Sequence, residues 1–467
     1  MFDLFVTNPA ISLPGFRSLC YLLPSLDLKK TLILLGDIPY WMAVSTTRQK
    51  TELILRYIAG ESIKLESNLS TLASQMRANL SAAGVLDKSK PNELTESNEF
   101  TKEKYLQPAY LSHCSTALML EVTRRCQLHC VHCYANAGKQ LNRELSLSTL
   151  IHLVDEMPSL GWNPNSARIE IIGGEPLLRT DIKELVAEIS RRGYFIRLFT
   201  NGLLLKPDDI SWLQKPSIEV SISIDGTEKT HDALRGNGTY KKALDAIKFL
   251  VQNGVNTRLN YCVYSHNLKD IETLLSLAVE IGVHAINFDE VLLVGRAVSN
   301  SLNHAPRRKL YRSLFNAACR DSRIESLLKT SHFARTVNQI RNGWRREYTG
   351  TVLGSSLYVA SNGDVYGGVD SINSPELCIG NVCQDTLNKI YYLALKSTKF
   401  APIAIDSLNE SCANCPVRYY CGGDYRGENF FQTRSTTSKH IKCEDIADSI
   451  IDLMWMITEK PEFVLTG

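Results

Sequence analysis

The chain has 467 residues, 44% of them hydrophobic, and a formal net charge of only +3. That length allows two or three domains, and the composition excludes global disorder. So balanced a charge leaves no electrostatic footprint for nucleic acid, and the pairs Arg307-Arg308 and Arg345-Arg346 read as solvated surface.

The opening segment, MFDLFVTNPAISLPGF, lacks the basic start and clean apolar core of a secretory signal. No apolar run approaches the ~20 residues that span a bilayer. Segment 32–44 comes nearest and is broken by Gly36, Asp37 and Pro39. The expectation is a cytoplasmic protein with neither membrane nor nucleic acid among its partners. Over 25–90 the pattern is that of a small α+β, winged-helix-like module. KTLILLG and YWMAVS flank Asp-Ile-Pro as a hairpin would. TELILRYIAG and SNLSTLASQMRANLSAAGVL follow with helical spacing, with Gly60 and Gly84 near their ends. The polar stretch 86–105 reads as a linker.

Residues 116–290 alternate between two patterns. Strands are expected at 117–122, 168–172, 195–199, 217–224, 257–264 and 284–289, and helices at 146–158, 181–192, 207–214, 239–253 and 268–281. Such βα alternation predicts a parallel sheet with helical crossovers. Six units are too few for a closed eight-stranded form, so the expected fold class is α/β with an open, partial (β/α)6 TIM-like barrel. Its chemistry belongs at the C-terminal ends of the strands. Residues 300–350 read as helical and basic. Residues 351–467 are rich in Gly and Cys with few long periodic stretches, a segment that a metal staple would suit. The expected boundaries are 1–100 for the N-terminal module and linker, 101–300 for the barrel, 301–350 for a helical bridge and 351–467 for a C-terminal domain.

There are 13 cysteines, an odd count that argues against a fully paired disulfide framework. In a reducing compartment, grouped cysteines point to metal or catalysis. The groups are 126, 130, 133 and 378, 383, 412, 415, 421, 443; Cys20, Cys114, Cys262 and Cys319 stand alone, as small buried hydrophobes do. The first group, Cys126-Gln-Leu-His-Cys130-Val-His132-Cys133, begins just after the first barrel strand. Three thiolates on one loop can hold three irons of a four-iron cubane and leave the fourth open to a ligand. Zinc suits the same residue types, with His129 and His132 nearby, so spacing alone leaves both open.

The wider pattern over about 116–300 resembles the radical S-adenosylmethionine (SAM) superfamily. His132 fills the aromatic slot of its Cys-x3-Cys-x-aromatic-Cys hallmark, which the resemblance puts near the adenine, and Tyr134 follows the last cysteine. Gly173-Gly174-Glu175-Pro176 ends the second strand, where the family meets the methionine ammonium of SAM. Glycines let the backbone approach and a carboxylate suits an ammonium; GGEP by itself is also a tight turn. Asn201 closes the third strand within Thr200-Asn201-Gly202. After the fourth, SISIDGTEKTHDALRG supplies Ser223 for the ribose and Arg235 for the SAM carboxylate, with Ser221 on the same face and Asp225 shaping the turn. The resemblance implies a [4Fe-4S] cluster on Cys126, Cys130 and Cys133, and SAM cleaved to a 5′-deoxyadenosyl radical that abstracts a substrate hydrogen. It also implies an external electron donor of flavodoxin or ferredoxin type.

Cys412-Ala-Asn-Cys415-Pro-Val-Arg-Tyr-Tyr-Cys421 resembles the SPASM extension of radical SAM peptide maturases, with Cys443 as its later cysteine. Together these imply one auxiliary [4Fe-4S] cluster in a SPASM-like domain. Tyr425, the Gly367-Gly368 end of SNGDVYGG, and Asp385 stand where the ligands of a second auxiliary cluster would be. Three losses on one ligand set point to one auxiliary cluster, not two. Cys378 and Cys383 could rebuild a shifted site, donate a hydrogen atom, or be ordinary thiols. Four thiolates suit zinc as well.

The module at 25–90 is similar to domains that bind a leader peptide by adding it to a sheet edge. Taken together, the resemblances imply a maturase of a ribosomally made precursor peptide with a leader, forming an intramolecular crosslink (cyclophane, ether or thioether). Epimerisation and backbone splicing stand as alternatives on the same scaffold, and a zinc-binding peptide adaptor as one of another class. Asn260, Asp289 and Glu290 are polar strand-end residues. Asp289 and Glu290 could take a proton during ring closure, bind basic side chains, or be structural carboxylates. Gly295-Arg296 resembles a pair common after the sixth strand, with no role assigned.

Overall fold

A computed structural model describes residues 10–86, 116–138, 141, 143–343, 346–349 and 356–465. Most of the expected linker, together with Cys114 and Arg345, lies outside the described residues.

The N-terminal part is a three-stranded antiparallel sheet of β1 (Cys20–Pro24), β2 (Thr31–Leu35) and β3 (Trp41–Val44), in that order. The expected hairpin is β2–β3, with Leu32 opposite Ala43. The sequence reading placed no strand at β1, which pairs with β2 through Leu22 opposite Ile33. Two helices, α1 (Arg48–Ile58) and α2 (Ser67–Ala82), cover the sheet. Thr47 caps α1 by accepting from the Lys50 N–H. Ile33, Leu35, Ile54, Leu55, Met76 and Leu80 make a core of their own.

The second sheet has nine strands in the order β12-β11-β10-β4-β5-β6-β7-β8-β9. Six of them, β4 (Thr116–Glu121), β5 (Ala167–Ile172), β6 (Phe195–Thr200), β7 (Ile218–Ser223), β8 (Thr257–Val263) and β9 (Ala285–Glu290), are parallel and adjacent in chain order. The crossovers carry α3 (Leu147–Glu156), α4 (Ile182–Arg191), α5 (Ile210–Leu213), α6 (Glu228–Arg235), α7 (Thr239–Gln252) and α8 (Ile271–Ile281). Within 207–214 only α5 is α-helical, because Pro207–Asp209 forms a tighter 3₁₀ turn. The sequence reading did not place α6.

Side chains alternate across this sheet. Ile169, Ile171, Ile196, Leu198, Val220, Ile222, Leu259 and Tyr261 enter the main core. The opposite face carries a charged row. Arg168 pairs with Glu170 at 2.7 Å, Arg197 with Glu170 at 3.4 Å and with Glu219, and Arg258 with Glu219 at 2.8 Å. Burial opposes ionisation of Glu219, yet Arg258 and Arg197 outweigh it and hold the carboxyl below its usual range.

The C-terminal region extends the same sheet. β10 (Ser356–Val359) pairs in parallel with β4, Tyr358 opposite Met119, and β11 (Asp364–Tyr366) and β12 (Gly380–Asn381) follow antiparallel. After β9 come α9 (Arg296–Ser299), α10 (Arg307–Arg320), α11 (Ser322–Leu328) and α12 (His332–Asn342). The last stretch holds α13 (Leu387–Leu395), α14 (Glu410–Ala413), α15 (Arg418–Cys421), α16 (Arg426–Thr433) and α17 (Cys443–Glu459). α17, with 17 residues, is a long periodic stretch within this segment. Ile446, Ile450, Leu453, Met454 and Ile457 bury one face at helical spacing, against α10. Among the described residues no helix is long and apolar enough to cross a membrane.

Candidate active site

Cys126, Cys130 and Cys133 lie on the loop after β4, at the C-terminal end of the parallel strands. The turn after β9 holds this loop. Arg296 donates from Nε to the Cys130 carbonyl (2.8 Å), from its backbone N to the Cys133 carbonyl (3.1 Å), and from Nη1 to the Ala137 carbonyl (2.7 Å). Asn300 Nδ2 adds a bond to the Val131 carbonyl at 3.0 Å. Gly295 has φ of +57°, and a Cβ there would sit 2.5 Å from the Tyr134 carbonyl oxygen. Gly295-Arg296 is therefore a clamp on the cysteine loop.

The second strand end packs on the same loop. The Gly174 N–H donates to the Thr123 carbonyl at 2.8 Å and the Glu175 N–H to the Arg125 carbonyl at 2.8 Å. A Cβ on Gly173 would lie 2.5 Å from the Thr123 carbonyl oxygen, and one on Gly174 2.1 Å from that of Arg125. Both glycines are demanded by this backbone approach. The Glu175 side chain is fully buried; it accepts from Thr200 Oγ1 (2.7 Å), Leu177 N (3.1 Å) and Asn201 N (2.9 Å). Its carboxylate thus ties β5 to β6. Asn201 Oδ1 in turn accepts from Gln127 Nε2 of the cysteine loop at 3.0 Å.

The turn after β7 brings in the next group. Arg235 Nε donates to Asp225 Oδ2 at 2.6 Å, and His132 Nε2 lies 3.5 Å from the same oxygen. Asp225 Oδ1 accepts from the Cys262 N–H at 2.9 Å. Burial works against the Asp225 charge, but Arg235 outweighs it and keeps the carboxyl low; burial takes His132 down to about 4, so its ring is neutral. Arg235 also lies close enough to Cys130 to favour the thiolate, against the upward push of burial. Ser223 is half-buried at the strand end, whereas Ser221 is fully buried and its Oγ meets no partner among the described residues. Tyr134 gives its carbonyl to Asn373 Nδ2 at 2.7 Å, and burial raises its phenol.

Asp289 and Glu290 point to different surroundings. Asp289 pairs with His332 Nδ1 at 3.0 Å and accepts from Asn287 Nδ2 at 2.8 Å on the polar face, and burial raises its carboxyl. Glu290 is buried against Arg307 and against Lys442 Nζ at 3.3 Å. Burial opposes its charge, yet these two cations hold it below the usual range. Of the three readings for these carboxylates, Glu290 fits the structural one, while Asp289 stays on the open polar face.

Cys412, Cys415, Cys421 and Cys443 gather around α14, α15 and the start of α17. Asn409 Oδ1 caps the first turn by accepting from the Cys412 N–H at 2.9 Å. Cys415 feels both Cys443 and Cys412, and Cys421 feels Cys415 and Cys443. The N-terminal sheet docks here. Tyr21 OH donates to the Asn414 carbonyl at 3.0 Å, and Arg418 Nη2 donates to Asp37 Oδ1 at 2.9 Å. Cys378 packs in the small apolar cluster that also touches Cys126 and Cys133, whereas Cys383 is exposed. Asp385 is half-buried and paired with Lys389.

The radical SAM superfamily profile matches residues 120–278. Residues 120–278 are a radical SAM domain. Among its relatives are the Fe-coproporphyrin III synthase of Methanosarcina barkeri, 33% identical over 38% of this chain and 44% of that protein, and the sporulation killing factor maturation protein SkfB of Bacillus subtilis, 30% identical over 40% and 45%. The PqqA peptide cyclase of Ruegeria pomeroyi is 26% identical over 64% of this chain and 79% of that one. The chain thus spans less than half the length of the first two relatives. In fold it is similar to Streptococcus suis SuiB bound to precursor peptide SuiA, with TM-score 0.55 and 14% identity over 89% of this chain and 96% of that chain. It is also similar to anSMEcpe with bound AdoMet, with TM-score 0.60 and 19% identity over 75% and 96%.

A radical SAM domain implies a [4Fe-4S] cluster and SAM. The radical SAM loop suits such a cluster. Its three thiols are free and near one another, and the Leu128 N–H points at Cys126 Sγ from 3.4 Å. Burial pushes the Cys126 thiol up to about 11 and that of Cys415 up to about 12; a cation held beside them would favour the thiolates. Among the described residues no three His, Cys, Asp or Glu side chains converge as one metal ion requires. The sequence reading missed the contacts of Arg296, Gln127 and His332, which join segments far apart in the chain and leave no local pattern.

Proposed function

We propose that this radical SAM protein is a maturase of a ribosomally synthesised peptide that forms an intramolecular crosslink in a precursor bearing a leader. The observation that carries this reading is the clamp of Arg296 on the Cys130 loop. Behind β9 and β4 respectively, these residues would be about 24 Å apart if five strand spacings lay flat, so their contact supports a sheet curled into a partial barrel with the cysteine loop at its mouth. The peptide half of the reading is supported by the maturation protein and peptide cyclase among the relatives and by the SuiB fold, which spans most of the chain.

Cys126, Cys130 and Cys133 would hold the radical SAM cluster. His132, Tyr134, Asn201, Ser223 and the Gly173-Gly174-Glu175 backbone would frame SAM, with Arg235 held by Asp225 beside Cys130. When bound, cluster and SAM supply a 5′-deoxyadenosyl radical that abstracts a side-chain hydrogen. Cys412, Cys415, Cys421 and Cys443 would hold one auxiliary [4Fe-4S] cluster in a SPASM-like domain, able to accept the electron released as a ring closes. Asp289, whose carboxyl burial keeps raised, is suited to take a proton on the polar face. The N-terminal sheet would bind the leader along an exposed edge. A flavodoxin- or ferredoxin-type donor would supply electrons, and free thiols throughout the described residues suit a reducing cytoplasm.

The test is mass spectrometry of a short peptide encoded beside the gene, after anaerobic coexpression in deuterated water. Loss of a hydrogen pair with the backbone intact supports crosslinking. Deuterium gained at an α-carbon supports epimerisation instead and turns attention to Cys378 and Cys383. A second reading, a tetrapyrrole substrate, is favoured by the Fe-coproporphyrin III synthase relative; a visible-band shift on adding iron coproporphyrin, with no peptide product, would select it.

A further inference from the structure

The helix α12 lies against the polar face of the sheet. The His332 N–H donates to Asn287 Oδ1 at 3.1 Å, and His332 Nδ1 reaches Asp289 at 3.0 Å, so the first turn of α12 is pinned to two residues of β9. One turn on, on the same side of the helix, is Arg335. Its side chain is exposed, and among the described residues it makes no ion pair and no side-chain hydrogen bond. Four groups lie within its electrostatic reach: Arg168 on β5, Tyr425 before α16, Arg346, and Asp289 on β9. Arg168 and Asp289 both belong to the polar face, so the exposed Arg335 guanidinium lies over that face.

The company it keeps is not neutralising. Arg168 is committed to Glu170 at 2.7 Å, and Arg346 donates to the Cys421 carbonyl at 3.4 Å. Asp289 is answered by His332. Tyr425, which occupies a position where the SPASM pattern would have a cysteine, offers only a phenol whose ionisation burial opposes. An arginine left unpaired over this face presents a planar, bidentate donor to an incoming carboxylate.

We infer that Arg335 is the anion-binding element of the substrate recess and selects a peptide bearing an Asp or Glu side chain near the residue to be modified. This rests on the peptide reading above and adds its specificity: the acidic side chain pairs with Arg335 while the neighbouring residue faces the cysteine loop.

The experiment is a charge swap read by selection. A displayed library of random peptides is selected under anaerobic conditions on the reconstituted full-length holoprotein and, in parallel, on the R335Q and R335E holoproteins. The wild type is expected to enrich Asp or Glu at one position roughly tenfold, the factor that about 1.4 kcal/mol of binding supplies. R335Q loses that enrichment, and R335E replaces it with Lys or Arg. All three proteins should form equal 5′-deoxyadenosine from SAM with dithionite and no peptide, because Arg335 lies outside the proposed SAM contacts; this shows the variants are folded and loaded. Enriched peptides without an acidic position, or an acidic position that survives in R335E, would overturn the inference and leave the peptide reading standing. Selection of no peptide by any of the three would remove the peptide reading and the inference with it.

Discussion

Arg296 donates from Nε to the carbonyl oxygen of Cys130 at 2.8 Å, joining the turn behind β9 to the loop behind β4. The cysteine loop is thus held by the end of the parallel run as well as by its start. A charged donor to a buried carbonyl contributes about 1.5–3 kcal/mol. Arg296→Ala is expected to lower unfolding free energy by about that amount. It should also reduce iron retained by a variant lacking Cys412, Cys415, Cys421 and Cys443, in which only the loop site remains. Arg296→Lys, which cannot span Cys130 and Ala137 together, should fall between. Iron content after gel filtration, alongside chemical denaturation, checks both.

Gly174 makes a sharper prediction. A methyl group there would stand 2.1 Å from the Arg125 carbonyl oxygen, and backbone cannot yield cheaply. Gly174→Ala should cost about 1–3 kcal/mol as local overpacking and should abolish 5′-deoxyadenosine formation, since the strand end and the cysteine loop can no longer bond. Normal activity in a stable Gly174→Ala protein would refute the packing account.

The cluster count is directly measurable. The triple variant Cys126→Ala, Cys130→Ala, Cys133→Ala is expected to retain about four irons per chain, and the wild type about eight. Four further irons in the triple variant would mean that Cys378 and Cys383 contribute to a second auxiliary cluster. Cys383, being exposed, should react with iodoacetamide in the intact holoprotein, while Cys412, Cys415, Cys421 and Cys443 should not.

The charged row beneath the site sets a pH dependence. Glu219 is almost fully buried, and Arg258 and Arg197 depress its carboxyl despite the cost of burial. Its folded pKa is below the unfolded value of about 4.3, so its stabilisation is present above that value and fades as pH falls through the folded pKa. Glu219→Gln should therefore destabilise the apoprotein by about 3–5 kcal/mol at neutral pH, because it leaves the buried Arg258 without its carboxylate. The difference from wild type should shrink steadily below about pH 4. Urea denaturation across that range would reveal a constant difference if the ion pairs were unimportant.

Much of this molecule follows from the order of its residues. Alternating apolar and polar positions from Thr116 to Glu290 specify six parallel strands with their crossovers, because strand and helix periods differ and each leaves its mark locally. The three cysteines at 126, 130 and 133, the Gly173-Gly174-Glu175 turn and the later group at 412, 415, 421 and 443 were legible for the same reason: each is a short pattern. The helix at Cys443–Glu459 carries its own period in Ile446, Ile450, Leu453 and Ile457.

Tertiary structure alone decided the rest. It made β10 a neighbour of β4, though more than two hundred residues separate Leu118 from its partner Leu357. It set Glu175 to tie β5 to β6, turned Glu290 toward Arg307 and Lys442 and left Asp289 on the polar face, although the two carboxylates are adjacent in the chain. Among the described residues it left Arg335 without an ion-pair partner beside them. A side chain's pairing depends on which distant segments fold against it, and no local period encodes that choice.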